Sequence, residues 1–150
     1  MSVVDDLKAQ ITAGHIAFDP PTATTARLKA ELLGENSGPI KVTEKLQKLV
    51  LAISRIKDIR ISSIIRNEGH HGNGRAFDIG NEDIAASLLP KVATNDKVKE
   101  LGIDEIIFDA AVAGEQDRNK WNYDQAVKHP YDTNTLDQHK NHIHFAVTAG

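Results

Sequence analysis

Two stretches hold the residues best suited to chemistry. One is Gly69-His70-His71-Gly72-Asn73-Gly74-Arg75-Ala76-Phe77-Asp78, and the other is Asn141-His142-Ile143-His144-Phe145. Five of the seven histidines fall at positions 70, 71, 139, 142 and 144. A metal ion is the simplest reason to gather imidazoles and a carboxylate from distant parts of one chain. There is no cysteine, so thiolate sites, disulfides and a thiol nucleophile are excluded, and any metal must be held by His, Asp or Glu. His71 and Asp78 flank a glycine-rich loop that can fold back and aim both side chains at one point. His142 and His144 are two apart, so strand alternation puts them on one face. Three ligands of the type His/Asp/His plus a water form an open tetrahedral zinc site, here one Zn2+ per chain. Such a site polarises a carbonyl and lowers the pKa of its water to ~7. The chemistry expected is hydrolysis.

The elements that must position these residues follow from periodicity. Leu46, Leu49, Val50, Ile53 and Ile56 mark one buried face of a helix from a Thr43 cap to about Lys57. Past Asp58 the pattern shortens to alternation, and a strand over 59–66 leads into the first histidine cluster. Further strands are expected over 75–79, 104–108 and 142–147. Helices are expected over 3–12, from a Thr24 or Thr25 cap to Leu33, over 82–89 with a break at Pro90, and over 96–101 ending at Gly102. Asp19-Pro20-Pro21 reads as a stiff turn. Residues 109–139 are polar and weakly periodic and read as a long irregular rim, with Trp121, Tyr123 and Tyr131 as candidates to line a substrate cleft. The expected fold class is α+β: a small, mostly antiparallel sheet of about four strands with helices packed on one face. One domain over 1–150 is expected, its first 38 residues a helical extension packed on the rest.

A formal charge of −3 offers no electrostatic case for nucleic acid or an anionic membrane surface. The N-terminus has Asp5 and Asp6 where a signal peptide carries positive charge, and no apolar run reaches membrane-spanning length. The expectation is a monomer without a signal peptide, made in the cytoplasm, with no membrane insertion.

The pattern His71-x-x-Gly74-x-Ala76-x-Asp78 followed by His142-x-His144 resembles the zinc-peptidase superfamily of D-alanyl-D-alanine carboxypeptidases and dipeptidases, lysostaphin-type endopeptidases, L-alanyl-D-glutamate endolysins and the hedgehog signalling domain. It is most similar to the D-Ala-D-Ala-type peptidases, with Gly69 where their motif has serine. The resemblance covers roughly 59–81 and 137–147. It implies a hedgehog- or D-Ala-D-Ala-peptidase-like fold, with His71, Asp78 and His144 as zinc ligands and His70 turned outward or supporting. It implies that His142 is not a ligand but acts as general base or stabilises the tetrahedral intermediate. It also implies that Arg66 binds substrate or steadies oxyanion charge. Dipeptidases and endolysins of that superfamily place a Glu or Asp three residues before the last ligand as catalytic base, where this chain has Asn141. An amide cannot take a proton from water, so catalysis must rest on His142, with Asp137 as a candidate partner. The implied activity is that of a zinc metallopeptidase of the peptidoglycan D,D- or L,D-peptidase type. It would cut stem or cross-link peptides at the cell wall after release or delivery by another system. The alternative, motivated by Asn141, is a zinc-binding module on the same scaffold with little or no catalysis.

Overall fold

The strands expected over 59–66, 75–79, 104–108 and 142–147 form, at 59–63, 76–79, 103–107 and 143–147, the contiguous middle of one sheet. The computed structural model describes residues 2–19 and 23–149. Its strands are β1 (Ile16–Phe18), β2 (Ile59–Ser63), β3 (Ala76–Ile79), β4 (Ile103–Ile107), β5 (Tyr123–Asp124), β6 (Val127–Lys128) and β7 (Ile143–Val147). They lie in the order β1-β2-β3-β7-β4-β5-β6. The β1–β2 pair is parallel and the others antiparallel, so this is a seven-stranded mixed sheet rather than one of about four. The extra strands have two or three residues each, too few for alternation to declare them. The β5–β6 hairpin also lacks its usual signal. Its turn residues, Gln125 and Ala126, have φ of 52° and 63°, a mirror-image turn normally marked by Asn-Gly.

Strand register sorts the side chains into two faces. Ile61, Ile79 and Ile143 line up across β2, β3 and β7, and Phe77, Phe145 and Ile106 line up across β3, β7 and β4. These residues are fully buried, and the Phe77 and Phe145 rings stack with centroids 5.6 Å apart. The helices α1 (Val3–Thr12), α2 (Ala23–Leu33), α3 (Glu44–Ser54), α4 (Ala85–Val92), α5 (Asn95–Glu100) and α6 (Thr133–Asp137) supply most of the remaining core. Leu46, Leu49, Val50 and Ile53 of the expected α3 face are buried, and Ile56 lies partly buried past a helix end that comes at Ser54 instead of about Lys57. Thr43 Oγ1 caps the helix by accepting from Leu46 N. The opposite sheet face carries Ser63, Asp78, His144 and Ile107 in one row.

Some expectations need correcting. Residues 2–19 and 23–38 are no purely helical extension: β1 pairs with β2, and Leu7, Ile16, Phe18, Leu28 and Leu32 join the core. Helix α2 starts at Ala23, ahead of the cap expected at Thr24 or Thr25, and the Pro20-Pro21 turn lies outside the described residues. Pro90 sits inside α4 without ending it. Proline has no N–H to give the preceding turn, yet burial of Leu88, Leu89 and Val92 around it holds the helix. Residues 109–139 are less irregular than expected, since they contain the β5–β6 hairpin and α6.

Gly74 shows why glycine stands inside the first motif. Its φ is +69°, and a Cβ there would come within 2.1 Å of the Lys41 carbonyl oxygen. Its own carbonyl accepts from Thr43 N, joining the histidine turn to the cap of α3. Left-handed backbone and a steric clash act together, so Gly74→Ala is expected to destabilise the fold by about 3 kcal/mol. Urea unfolding would measure this, with an unchanged midpoint as the contrary result. No helix among the described residues is long and apolar enough to cross a membrane.

Candidate metal centre

Three elements converge on the polar face of the sheet. His71 comes from a 3-10 turn over Gly69–Asn73, Asp78 from β3 and His144 from β7. Asp78 and His144 are directly opposed in register, which is how strand pairing brings residues 66 apart into contact. All three side chains are buried, and their ligating atoms lie within 4.8 Å of one another. Asp78 Oδ1 is 3.0 Å from His144 Nδ1 and 3.4 Å from His71 Nε2. Donors ~2.0–2.1 Å from a tetrahedral ion sit roughly 3.3 Å apart, so the two separations from Asp78 match one ion's coordination shell.

The hydrogen bonds around the triad decide which nitrogens face inward. His71 Nδ1–H donates to the Ile64 carbonyl at 2.6 Å, leaving Nε2 as the lone-pair nitrogen. That Nε2 is buried and has no hydrogen-bond partner. A buried nitrogen without a partner is costly, and an ion between His71, Asp78 and His144 would satisfy it. His144 is fixed the other way round, its Nε2–H donating to Glu105 Oε1 at 2.9 Å while Nδ1 faces Asp78. Arg66 donates to Asp78 Oδ2 at 2.9 Å, leaving Oδ1 for the centre. His71, Asp78 and His144 thus form a buried group able to hold a metal ion.

Without an ion, a proton does part of its work. Burial disfavours the charged His144 imidazole, but hydrogen bonds and charge from Asp78 and Glu105 outweigh it and push the pKa up to about 9. Burial also opposes the Asp78 carboxylate, yet the hydrogen bond and charge of His144 hold it well below the usual carboxylate range. Glu105 is lowered in the same way, burial being overcome chiefly by His144. These are the marks of a site that wants positive charge at its centre.

Two more imidazoles stand beside the triad. The His139 ring centroid is 4.8 Å from that of His142 and 5.9 Å from that of His144. Burial lowers the pKa of both His139 and His142, so both are neutral near pH 7. His139 Nδ1–H donates to the Thr135 carbonyl at 2.7 Å, and His142 Nδ1–H to Asn141 Oδ1 at 2.9 Å. Each is left with a basic Nε2. Arg66 borders two open hollows at the centre. One, of about 280 Å³, includes His71, His139 and His144, and the other, of about 290 Å³, includes Asp78, Asn141 and His142. A larger hollow of about 670 Å³ beside His15 and Asp58 holds no cluster of buried ligating atoms among the described residues.

Other candidates from the sequence are placed elsewhere. Asp137 is exposed and pairs with Arg118 at 2.8 Å and Lys140 at 3.4 Å, and no hydrogen bond joins it to His139 or His142. Trp121 and Tyr123 are buried in the core instead of lining a cleft, since β5 draws Tyr123 into the sheet. Tyr131 donates its hydroxyl to the Tyr123 carbonyl. His70 does not turn outward: it lies between Asp104 at 2.7 Å and Glu105 at 3.2 Å. Glu105 and His139 were not singled out from sequence. Two acids, Asp104 and Glu105, in an otherwise apolar strand, and a third histidine close to His142-x-His144, were the available signals.

No family model matches the chain, and neither the curated proteins nor the solved structures include a match.

Proposed function

We propose that this chain is a zinc-dependent metallopeptidase that hydrolyses peptide bonds in peptidoglycan stem or cross-link peptides. The observation that carries the hydrolytic reading is the buried, unpartnered His71 Nε2 facing Asp78 and His144, with two neutral imidazoles alongside. Two imidazoles and a carboxylate, with no thiolate, are donors that suit Zn2+ with an open coordination position. When bound, the ion would polarise the scissile carbonyl and acidify water. The choice of peptide and of peptidoglycan rests on the resemblance of His71-x-x-Gly74-x-Ala76-x-Asp78 and His142-x-His144 to the D-Ala-D-Ala-type peptidases.

The chain's own residues divide the remaining work. His142 takes a proton from the attacking water and returns it to the leaving amine, a role suited to an imidazole that burial keeps neutral. Asn141 orients that base by accepting from its Nδ1–H, so the position where the dipeptidases and endolysins that the motif resembles carry an acid still serves the proton transfer. Arg66 borders both hollows, which fits it to steady oxyanion charge or bind substrate while it holds Asp78 in place.

Zinc-loaded protein is expected to release peptides from cell-wall sacculi. His142→Ala should retain its zinc and lose roughly 10²–10⁴-fold in turnover. No release from any wall chemotype would contradict the peptidase reading. A His142→Ala variant as active as the native chain would contradict the role given to that histidine. A chain that binds zinc tightly yet releases nothing would instead be a binding module on this scaffold.

A further inference from the structure

The two histidine ligands are held by unlike partners. His71 leans on a neutral backbone carbonyl, whereas His144 donates to a carboxylate, Glu105 Oε1, at 2.9 Å. The same Glu105 oxygen lies 3.2 Å from His70 Nδ1, and His70 Nε2 lies 2.7 Å from Asp104 Oδ2. The sheet makes this possible. Ile103 pairs with Val147 and Glu105 with Ala146, so Asp104 is the extra residue of a β-bulge in β4. A bulge re-aims neighbouring side chains, which explains how two consecutive residues of one strand reach the same imidazole. His70 also belongs to the 3-10 turn that carries His71. The chain of contacts therefore runs from the turn holding one ligand, through His70 and Glu105, to the other ligand.

We propose that Glu105, braced by His70 on the β4 bulge, is the positioning residue that fixes His144 as an Nδ1 ligand and sets the strength of the metal centre. Carboxylate support of a ligating imidazole fixes its tautomer and raises its basicity, and its loss typically costs 10–100-fold in metal affinity. His70 acts only through Glu105, with Asp104 holding its far nitrogen. This rests on the reading of His71, Asp78 and His144 as ligands and not on the identity of the substrate.

The test is a Co2+ titration of the full-length, chelator-stripped chain, following the visible absorption of the bound ion. Native protein is compared with Glu105→Gln, Glu105→Asp, His70→Ala and the double variant Glu105→Gln/His70→Ala. Glu105→Gln keeps the side chain's shape and should bind Co2+ about 10–100-fold more weakly with an altered spectrum. Glu105→Asp should recover part of the affinity. His70→Ala should weaken binding by roughly tenfold or less, and its effect should vanish in the Glu105→Gln background. A merely structural role would not produce that non-additivity. Native affinity and spectrum in Glu105→Gln, or effects of the two substitutions that multiply, would overturn the proposal. Failure of the native chain itself to bind Co2+ would overturn the metal reading and this inference with it. Far-ultraviolet circular dichroism of each stripped variant reports folding independently of the ion.

Discussion

The His144→Ala variant is expected to lose its metal and its turnover together. In the proposed site His144 would contribute a ligating nitrogen, and it is hydrogen-bonded from β3 and β4 at once, through Asp78 and Glu105. Tight zinc sites are worth ~10–16 kcal/mol in total, so one of about four ligands carries roughly 3–4 kcal/mol. That is two to three powers of ten in affinity. The variant should therefore need about two to three powers of ten more free zinc to load, and at limiting zinc its sacculus digestion should fall to background. Metal analysis and peptide release on the same preparation check both halves. Activity that survives the substitution would remove His144 from the mechanism.

The second large effect is a pH dependence of stability that changes sign with metal. In the stripped protein the His144 pKa is about 9, against ~6.5 for an unfolded imidazole. A raised folded-state pKa contributes stability that is complete below the unfolded value and is lost as pH climbs through the folded one. Asp78 behaves oppositely. Its folded pKa is depressed, so its contribution is present above ~3.8 and fades in acid. The stripped protein should be firmest between about pH 4 and 6.5 and lose on the order of 3 kcal/mol by pH 9. For a chain of this size that is a fall in Tm of roughly 6–12 °C. On the proposed reading zinc would take the place of the His144 proton, and because its ligands must be deprotonated, binding should strengthen over the same range. Thermal unfolding with zinc and with chelator should thus give curves that diverge from pH 6.5 to 9. Parallel curves would contradict the shared use of His144 by proton and metal.

What could be read from sequence divides along physical lines. The two histidine clusters and Asp78 were legible because their types are unusual together and their spacing matches a loop and a strand. The choice of His71 over His70 and of His144 over His142 came from the resemblance to the zinc-peptidase motif. The face of α3 was legible because it repeats an apolar period over enough residues, and the four central strands because each carries a short run rich in apolar, mostly β-branched or aromatic residues. Glu105 was not, because its importance depends on β4 lying beside β7 and on a bulge at Asp104, neither of which is a local property. His139 stood in view, but its place beside His142 depends on how the short α6 leads into β7. Trp121 and Tyr123 misled because an aromatic in a polar segment looks like a cleft wall, whereas these two complete the core. Asp137 misled by proximity in sequence alone, since Arg118 and Lys140 hold it on the surface. Gly74 is the reverse case. Its motif position was noted from sequence, but only the 2.1 Å approach of a Cβ to the Lys41 carbonyl explains why nothing larger fits.

The central claim is that His71, Asp78 and His144 form one metal site. Equilibrium dialysis of the chelator-stripped native chain against Zn2+, beside the Asp78→Asn and His144→Ala variants, tests it most directly. The expected result is about one tightly held ion per native chain, with binding severely weakened in both variants. A native chain that retains no zinc, or variants that bind it as tightly as the native chain, would contradict the claim.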